Sequence, residues 1–157
     1  WIEMDFPVQP ESEATAPKEL GESVSGVDIK YVGKNVDDYI VLVDSEATLR
    51  SLAPDMHLLG KVETRGIIFT AKANEDSEYD FVSRFFAPRC GIDEDPVTGS
   101  AHCCLAPFWI KRLGKPELTG YQASSRGGTV KVKVTGDRVQ LQGQAKTVFE
   151  AVLNTTV

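Results

Sequence analysis

The pattern of apolar residues in this chain predicts an α+β fold: a mostly antiparallel, barrel-like sheet wrapped around one central apolar helix. Two observations carry that prediction. Segments of alternating apolar and polar residues come in runs with few helices interleaved, which favours α+β over a parallel α/β sheet. Near residues 100–113, Ala101, Cys103, Cys104, Leu105, Ala106, Phe108, Trp109 and Ile110 leave almost no polar face. A helix that is apolar nearly all round has to be buried on most sides, and a curled antiparallel sheet can enclose it. The length of 157 residues makes one domain, 1–157, able to bury roughly two-thirds of its unfolded surface without disulfides or metal.

The elements follow in chain order. WIEMDFP alternates like a strand already under way and has no initiator methionine, so the chain reads as a piece of a longer or processed polypeptide. VQPESEATAP is a polar link, and its Pro17 suits the first turn of a short helix, KELGESV. DIKYVG and DDYIVLV are rich in β-branched and aromatic residues and predict a hairpin. Ser45 is placed to cap a helix through Leu49 and Leu52, which Pro54 ends. RGIIFTAKA and YDFVSRFFAP predict two strands around the polar loop NEDSE. GIDEDPVTGSAH then reads as a polar turn leading into a helix from about Ser100 to Leu113, with Gly114 as its C-cap and Pro107 as a kink. GYQASS, GTVKVKVTG, RVQLQGQAK and TVFEAVLN predict a closing meander, with Gly136-Asp137 its clearest turn.

Charge and composition remove several function classes. A net charge of -6 and a pI near 4.9, with no basic run, argue against a nucleic-acid surface. The apolar stretch Cys103 to Ile110 is far shorter than the roughly 20 residues a bilayer span needs, and no secretory signal opens the chain, so cytoplasm is the expected location. Three cysteines, two of them adjacent, predict reduced and buried thiols rather than a disulfide framework. His57 has no ligand-spaced partner, so no metal site is expected, and nothing suggests a nucleotide or other cofactor.

The chemistry concentrates in GIDEDPVTGSAH. A helix N-terminus presents unpaired N–H groups and about half a positive charge, so Gly99, Ser100 and Ala101 form a cradle for a carboxylate or phosphate. Thr98 and Ser100 carry hydroxyls that either cap the helix or bind the same anion. Asp95, held by Pro96 ahead of the cradle, is within reach of a bound acid and can move a proton as general acid or base. The plainer reading is that Asp95 and Thr98 cap a helix and Asp-Pro turns the chain. His102 either donates to substrate or is a satisfied, half-buried histidine. Arg126, followed by two glycines, either binds an anion at the cleft or ends a strand. Cys103 and Cys104 project about 100° apart along a helix, which favours packing over a nucleophilic dyad.

GIDEDPVTGSAHCCLAPFW, preceded by YDFVSRFFAP and followed by YQASSRGG, closely resembles the C-terminal half of the phenazine-biosynthesis-like (PhzF) family, which includes isomerase and epimerase-like proteins. The resemblance spans essentially the whole chain. It implies one lobe of a diaminopimelate-epimerase-like fold, in which two lobes, each a sheet around a central helix, hold the substrate between them. It also implies that the aspartate of the Asp-Pro-x-Thr-Gly-Ser motif, here Asp95, shares proton abstraction and return with a glutamate of the N-terminal lobe. Thr98, Gly99 and Ser100 are then expected to hold the carboxylate of a small carboxylic-acid substrate, without cofactor. The epimerase relatives use a cysteine near this turn where this chain has Thr98, which counts against a two-thiol mechanism. The family's glutamate, in an Asn-x-Ser-Glu-Thr context, does not occur here, so the chain carries half a site. The rest would come from the N-terminal lobe or from a second copy of this chain, and relatives commonly form homo-oligomers. The competing expectation is a catalytically inactive ligand- or partner-binding module.

Overall fold

The computed structural model describes residues 1–152. Among these, ten strands and four α-helices run in the order β1 (Ile2–Pro7), β2 (Ser12–Glu13), α1 (Lys18–Ser23), β3 (Ile29–Lys34), β4 (Asp38–Val43), α2 (Glu46–Ser51), α3 (Met56–Leu59), β5 (Gly66–Lys72), β6 (Phe81–Ala87), β7 (Ile92–Asp95), α4 (Gly99–Leu113), β8 (Glu117–Gln122), β9 (Gly128–Thr135) and β10 (Arg138–Gly143), with one 3-10 turn at Pro88–Cys90. The strands form one sheet in the order β1-β10-β9-β8-β6-β5-β4-β3-β2, with β7 added to β6. The mixed α+β class is as expected, with one large sheet and few helices.

Most neighbours are antiparallel, including the expected hairpin β3–β4, the two expected strands β5 and β6, and the meander β8–β9–β10. Two pairs, β4–β5 and β6–β8, are parallel. Parallel neighbours need a crossover, and helices supply both: α2 and α3 lie between β4 and β5, and α4 lies between β6 and β8. Strand alternation then divides the interior in two. Ile40, Ile68, Phe81 and Phe85 face α4, while Val41, Val43, Phe69, Val82 and Phe86 face the other side, where Leu20, Leu49 and Leu59 of α1, α2 and α3 cover them.

Helix α4 is buried along most of its length. Ala101 through Ala106, Phe108 and Trp109 are all buried, packed with Leu118, Val130, Val132, Val139 and Leu141 of β8, β9 and β10. Trp109 stacks on Phe81 at 5.9 Å between ring centroids and donates its indole N–H to Thr70 Oγ1 at 2.9 Å, so its one polar atom is satisfied in the core. Pro107 inside the helix has no N–H to give to the carbonyl of Cys103. That carbonyl instead accepts from Gln9 N–H at 3.0 Å, which pins the link after β1 to the helix. The helix ends where expected, at Gly114 with φ of 66°, its N–H donating to Ile110 O at 2.9 Å.

Two expectations need correction, and one element was not foreseen. The stretch 92–95 is a strand on β6, with Asp95 opposite Phe85 and Ile92 opposite Ala87, and not a simple turn; its acidic residues hid a half-exposed edge strand. Residues 56–59 form a one-turn helix capped by Asp55, whose carboxylate accepts from His57 and Leu58 N–H. TVFEAVLN adds no strand over residues 147–152, and its last two residues lie outside the described residues.

Candidate active site

Strand β7 sends its side chains to opposite faces, and this separates the three acids of the motif. Glu94 turns to the α2 face, where it pairs bidentately with Arg84 at 2.7 and 3.0 Å; Arg84 also donates to Leu52 O at 2.6 Å. Both partners of the pair are largely buried, so it locks β7 onto β6 and the end of α2. Asp93 is exposed. Asp95 turns the other way, toward the start of α4.

There Asp95 meets the residues of the motif. Thr98 is the N-cap residue of α4, yet its hydroxyl does not cap the helix. It donates to Asp95 Oδ2 at 2.5 Å. The first-turn amides of Gly99, Ser100 and Ala101 are left without a side-chain cap, as an anion cradle requires. Gly99 is exposed and Ser100 partly so. Asp95, Thr98, Gly99 and Ser100 thus come together as expected.

His102 is placed differently from a substrate contact. It is completely buried behind the helix start, and its Nδ1 donates to Thr98 O at 2.8 Å, which leaves Nε2 unprotonated and without a partner. Burial pulls its pKa down from 6.5 to about 4, against a smaller upward pull from the Thr98 carbonyl. Arg126 is exposed on the β8–β9 loop, where it lines an open groove of about 870 Å³ with Val97, Tyr121 and Lys146. Among the described residues it makes no hydrogen bond to Asp95, Thr98 or Ser100.

Two residues at the site were not singled out as candidates from the sequence, although Gln122 lies within the YQASSRGG segment. Gln122, the last residue of β8, is fully buried; its Oε1 accepts from Thr98 N–H at 2.8 Å, and its Nε2 donates to Asp95 O at 2.6 Å and to Thr98 Oγ1 at 3.1 Å. Besides its place in that segment, the signal for it was a glutamine at a core-facing position of a strand, alternating with Leu118 and Gly120. Arg65, just before β5, donates to Ser100 Oγ at 3.1 Å and holds Asp38 bidentately. Asp38 is buried at the start of β4 and sits opposite Gly66 across the parallel pair. Its hydrogen bonds raise the pKa of Arg65, so the cation beside the α4 N-terminus is permanent. Nothing near Arg65 in sequence announced this, because its partners are 27 and 35 residues away.

The thiols do not join the site. Cys104 is buried and its pKa is pushed up to about 12 by burial; Cys103 is also raised by burial, and only Cys90 is exposed. The described helices include none long and apolar enough to cross a membrane.

A family model described as phenazine biosynthesis-like protein matches residues 2–151. An uncharacterized isomerase of Halalkalibacterium halodurans is 51% identical over 98% of this chain, which spans 57% of that protein. Phenazine biosynthesis-like domain-containing protein 2 of Mus musculus is 37% identical over 97% of the chain and 58% of its own length. A solved PhzF-family structure from Enterococcus faecalis superposes with a TM-score of 0.86 at 35% identity, covering 96% of this chain and 57% of that one. The chain therefore spans a little over half the length of these relatives. A family model over nearly the whole chain, relatives at this identity and a shared fold leave one assignment: the chain belongs to the phenazine biosynthesis-like (PhzC-PhzF) family.

Proposed function

We propose that this chain is one lobe of a cofactor-independent isomerase or epimerase-like enzyme that moves a proton on a small carboxylic acid, with Asp95 as the acid/base. The observation that carries the reading is the placement of Asp95: one carboxylate oxygen held by Thr98, the other unpartnered among the described residues, beside the uncapped first turn of α4. Gly99 and Ser100 receive the substrate carboxylate, with the Arg65 charge alongside, and Arg126 reaches the same anion from the β8–β9 loop. His102 supports the helix start from behind. The isomerase name of the bacterial relative supports the reaction class.

In this reading the sheet curls around α4 as the C-terminal lobe of a diaminopimelate-epimerase-like fold, and the opposing carboxylate comes from a second lobe or a second copy of the chain. The two carboxylates divide removal and return of the proton. Three unpaired thiols fit a reducing, cytoplasmic location.

Solvent-deuterium exchange tests the proposal. Incubated in D2O with a panel of small carboxylic acids that carry an acidic C–H, the protein is expected to place deuterium on one carbon of its substrate. Asp95→Asn is expected to lower that rate by at least about a hundredfold with the fold intact, the scale of a lost general acid/base. An exchange rate untouched by Asp95→Asn would falsify the assignment. Binding of an acid without exchange would instead identify a binding module.

A further inference from the structure

The hydrogen-bond network around Thr98 determines where each of its hydrogens goes. Gln122 has two amide hydrogens and one carbonyl oxygen to spend. Thr98 N–H is a donor, so Oε1 must face it, and the Asp95 carbonyl is an acceptor, so Nε2 must face that. The remaining Nε2 hydrogen points at Thr98 Oγ1, 3.1 Å away. Thr98 Oγ1 thus receives one hydrogen and has a single hydrogen of its own to place. Asp95 Oδ2, at 2.5 Å, is its acceptor. The reverse assignment, with a protonated Oδ2 donating to Thr98, would leave the threonine hydrogen with no acceptor among the described residues. Oδ1 has no hydrogen-bond partner there.

Resting on the reading of Asp95 as the acid/base, we propose that Gln122 is a positioning residue that turns the Thr98 hydroxyl hydrogen onto Asp95 Oδ2 and so reserves Oδ1 as the atom that takes and returns the substrate proton. Gln122 reaches both the main chain of Asp95 and the side chain that orients its carboxylate. It fixes the carboxylate in place and in rotation from a fully buried position with no substrate contact. A displacement of about 1 Å in a reacting group can cost on the order of a hundredfold in rate, which is the scale on which such a clamp matters.

Gln122→Glu tests the idea without removing the buried polar group. The glutamate still accepts from Thr98 N–H, but it puts an acceptor oxygen where Nε2 stood, so the Thr98 hydroxyl turns away from Asp95. In the deuterium-exchange assay the expected result is a loss of about tenfold in kcat with KM within about twofold, because the orienting interaction acts on the proton-transfer step and not on binding. Thr98→Val is expected to fall similarly, Thr98→Ser, which keeps the hydroxyl, to recover most of that loss, and the double variant Thr98→Val/Gln122→Glu to be no slower than Thr98→Val alone. A rise in KM at constant kcat, or additive losses in the double variant, overturns the proposal. If the wild-type protein exchanges no acid at all, the reading of Asp95 fails separately, and crystal structures judge the clamp. A rotated Asp95 carboxylate in Gln122→Glu upholds it, and Asp95 still accepting from Thr98 refutes it.

Discussion

His102 links the chemistry of a single residue to the stability of the whole fold. Its ring is neutral in the folded protein with a pKa near 4 and has an ordinary pKa near 6.5 when unfolded. Between these values the unfolded chain binds more protons, so stability is full above about pH 6.5 and is lost progressively as pH falls to about 4, by up to about 3 kcal/mol. Urea unfolding midpoints measured from pH 7 to pH 4 should therefore decline more steeply in wild type than in His102→Gln; equal slopes would show that the ring titrates freely in the folded state. At this scale the sequence was legible in part. Asp95, Thr98, Gly99 and Ser100 fall within six successive residues and their grouping follows from local geometry, whereas the burial of His102 depends on the sheet beneath it, with Phe81 6.1 Å away between ring centroids. Which face of the helix start His102 occupies is a tertiary fact.

Element boundaries were legible where local chemistry sets them. Ser45 caps α2 by accepting from Thr48 N–H at 3.1 Å, an interaction worth about 1 kcal/mol, and Gly114 closes α4. The strand β7 was not legible, because four residues, Ile-Asp-Glu-Asp, carry no periodic signal and pair only through β6. Pro107 offers the sharper lesson. A proline in the interior of a helix removes a hydrogen bond, and the sequence predicts only a kink. The fold supplies a substitute donor from Gln9, across 94 residues of chain, and so keeps the Cys103 carbonyl satisfied. The Gln9 amide is accordingly expected to be strongly protected in hydrogen exchange although it belongs to no strand. Exchange as fast as at the exposed turn residue Asp76 would mean the bond to Cys103 does not persist.

At the scale of the whole molecule, two cores on opposite faces of one sheet account for the behaviour of the thiols. Cys103 and Cys104 lie in the core around α4, and Cys90 lies outside both. Alkylation of the native protein with iodoacetamide should therefore modify one thiol per chain, at Cys90, and three after denaturation; native labelling at Cys104 would indicate that α4 opens readily. The sequence by itself determined the class of fold, the helix start that follows Asp95 and the family resemblance, because strand alternation, helix capping and a contiguous motif are all written within a few residues of one another. Tertiary structure alone decided the parallel pairs β4–β5 and β6–β8, and with them the site's support. Gln122 reaches Asp95 because β8 lies beside β6, and Arg65 reaches Ser100 because β5 lies beside β4. The register of strands distant in sequence is set by which apolar faces bury together, and no local pattern contains that choice.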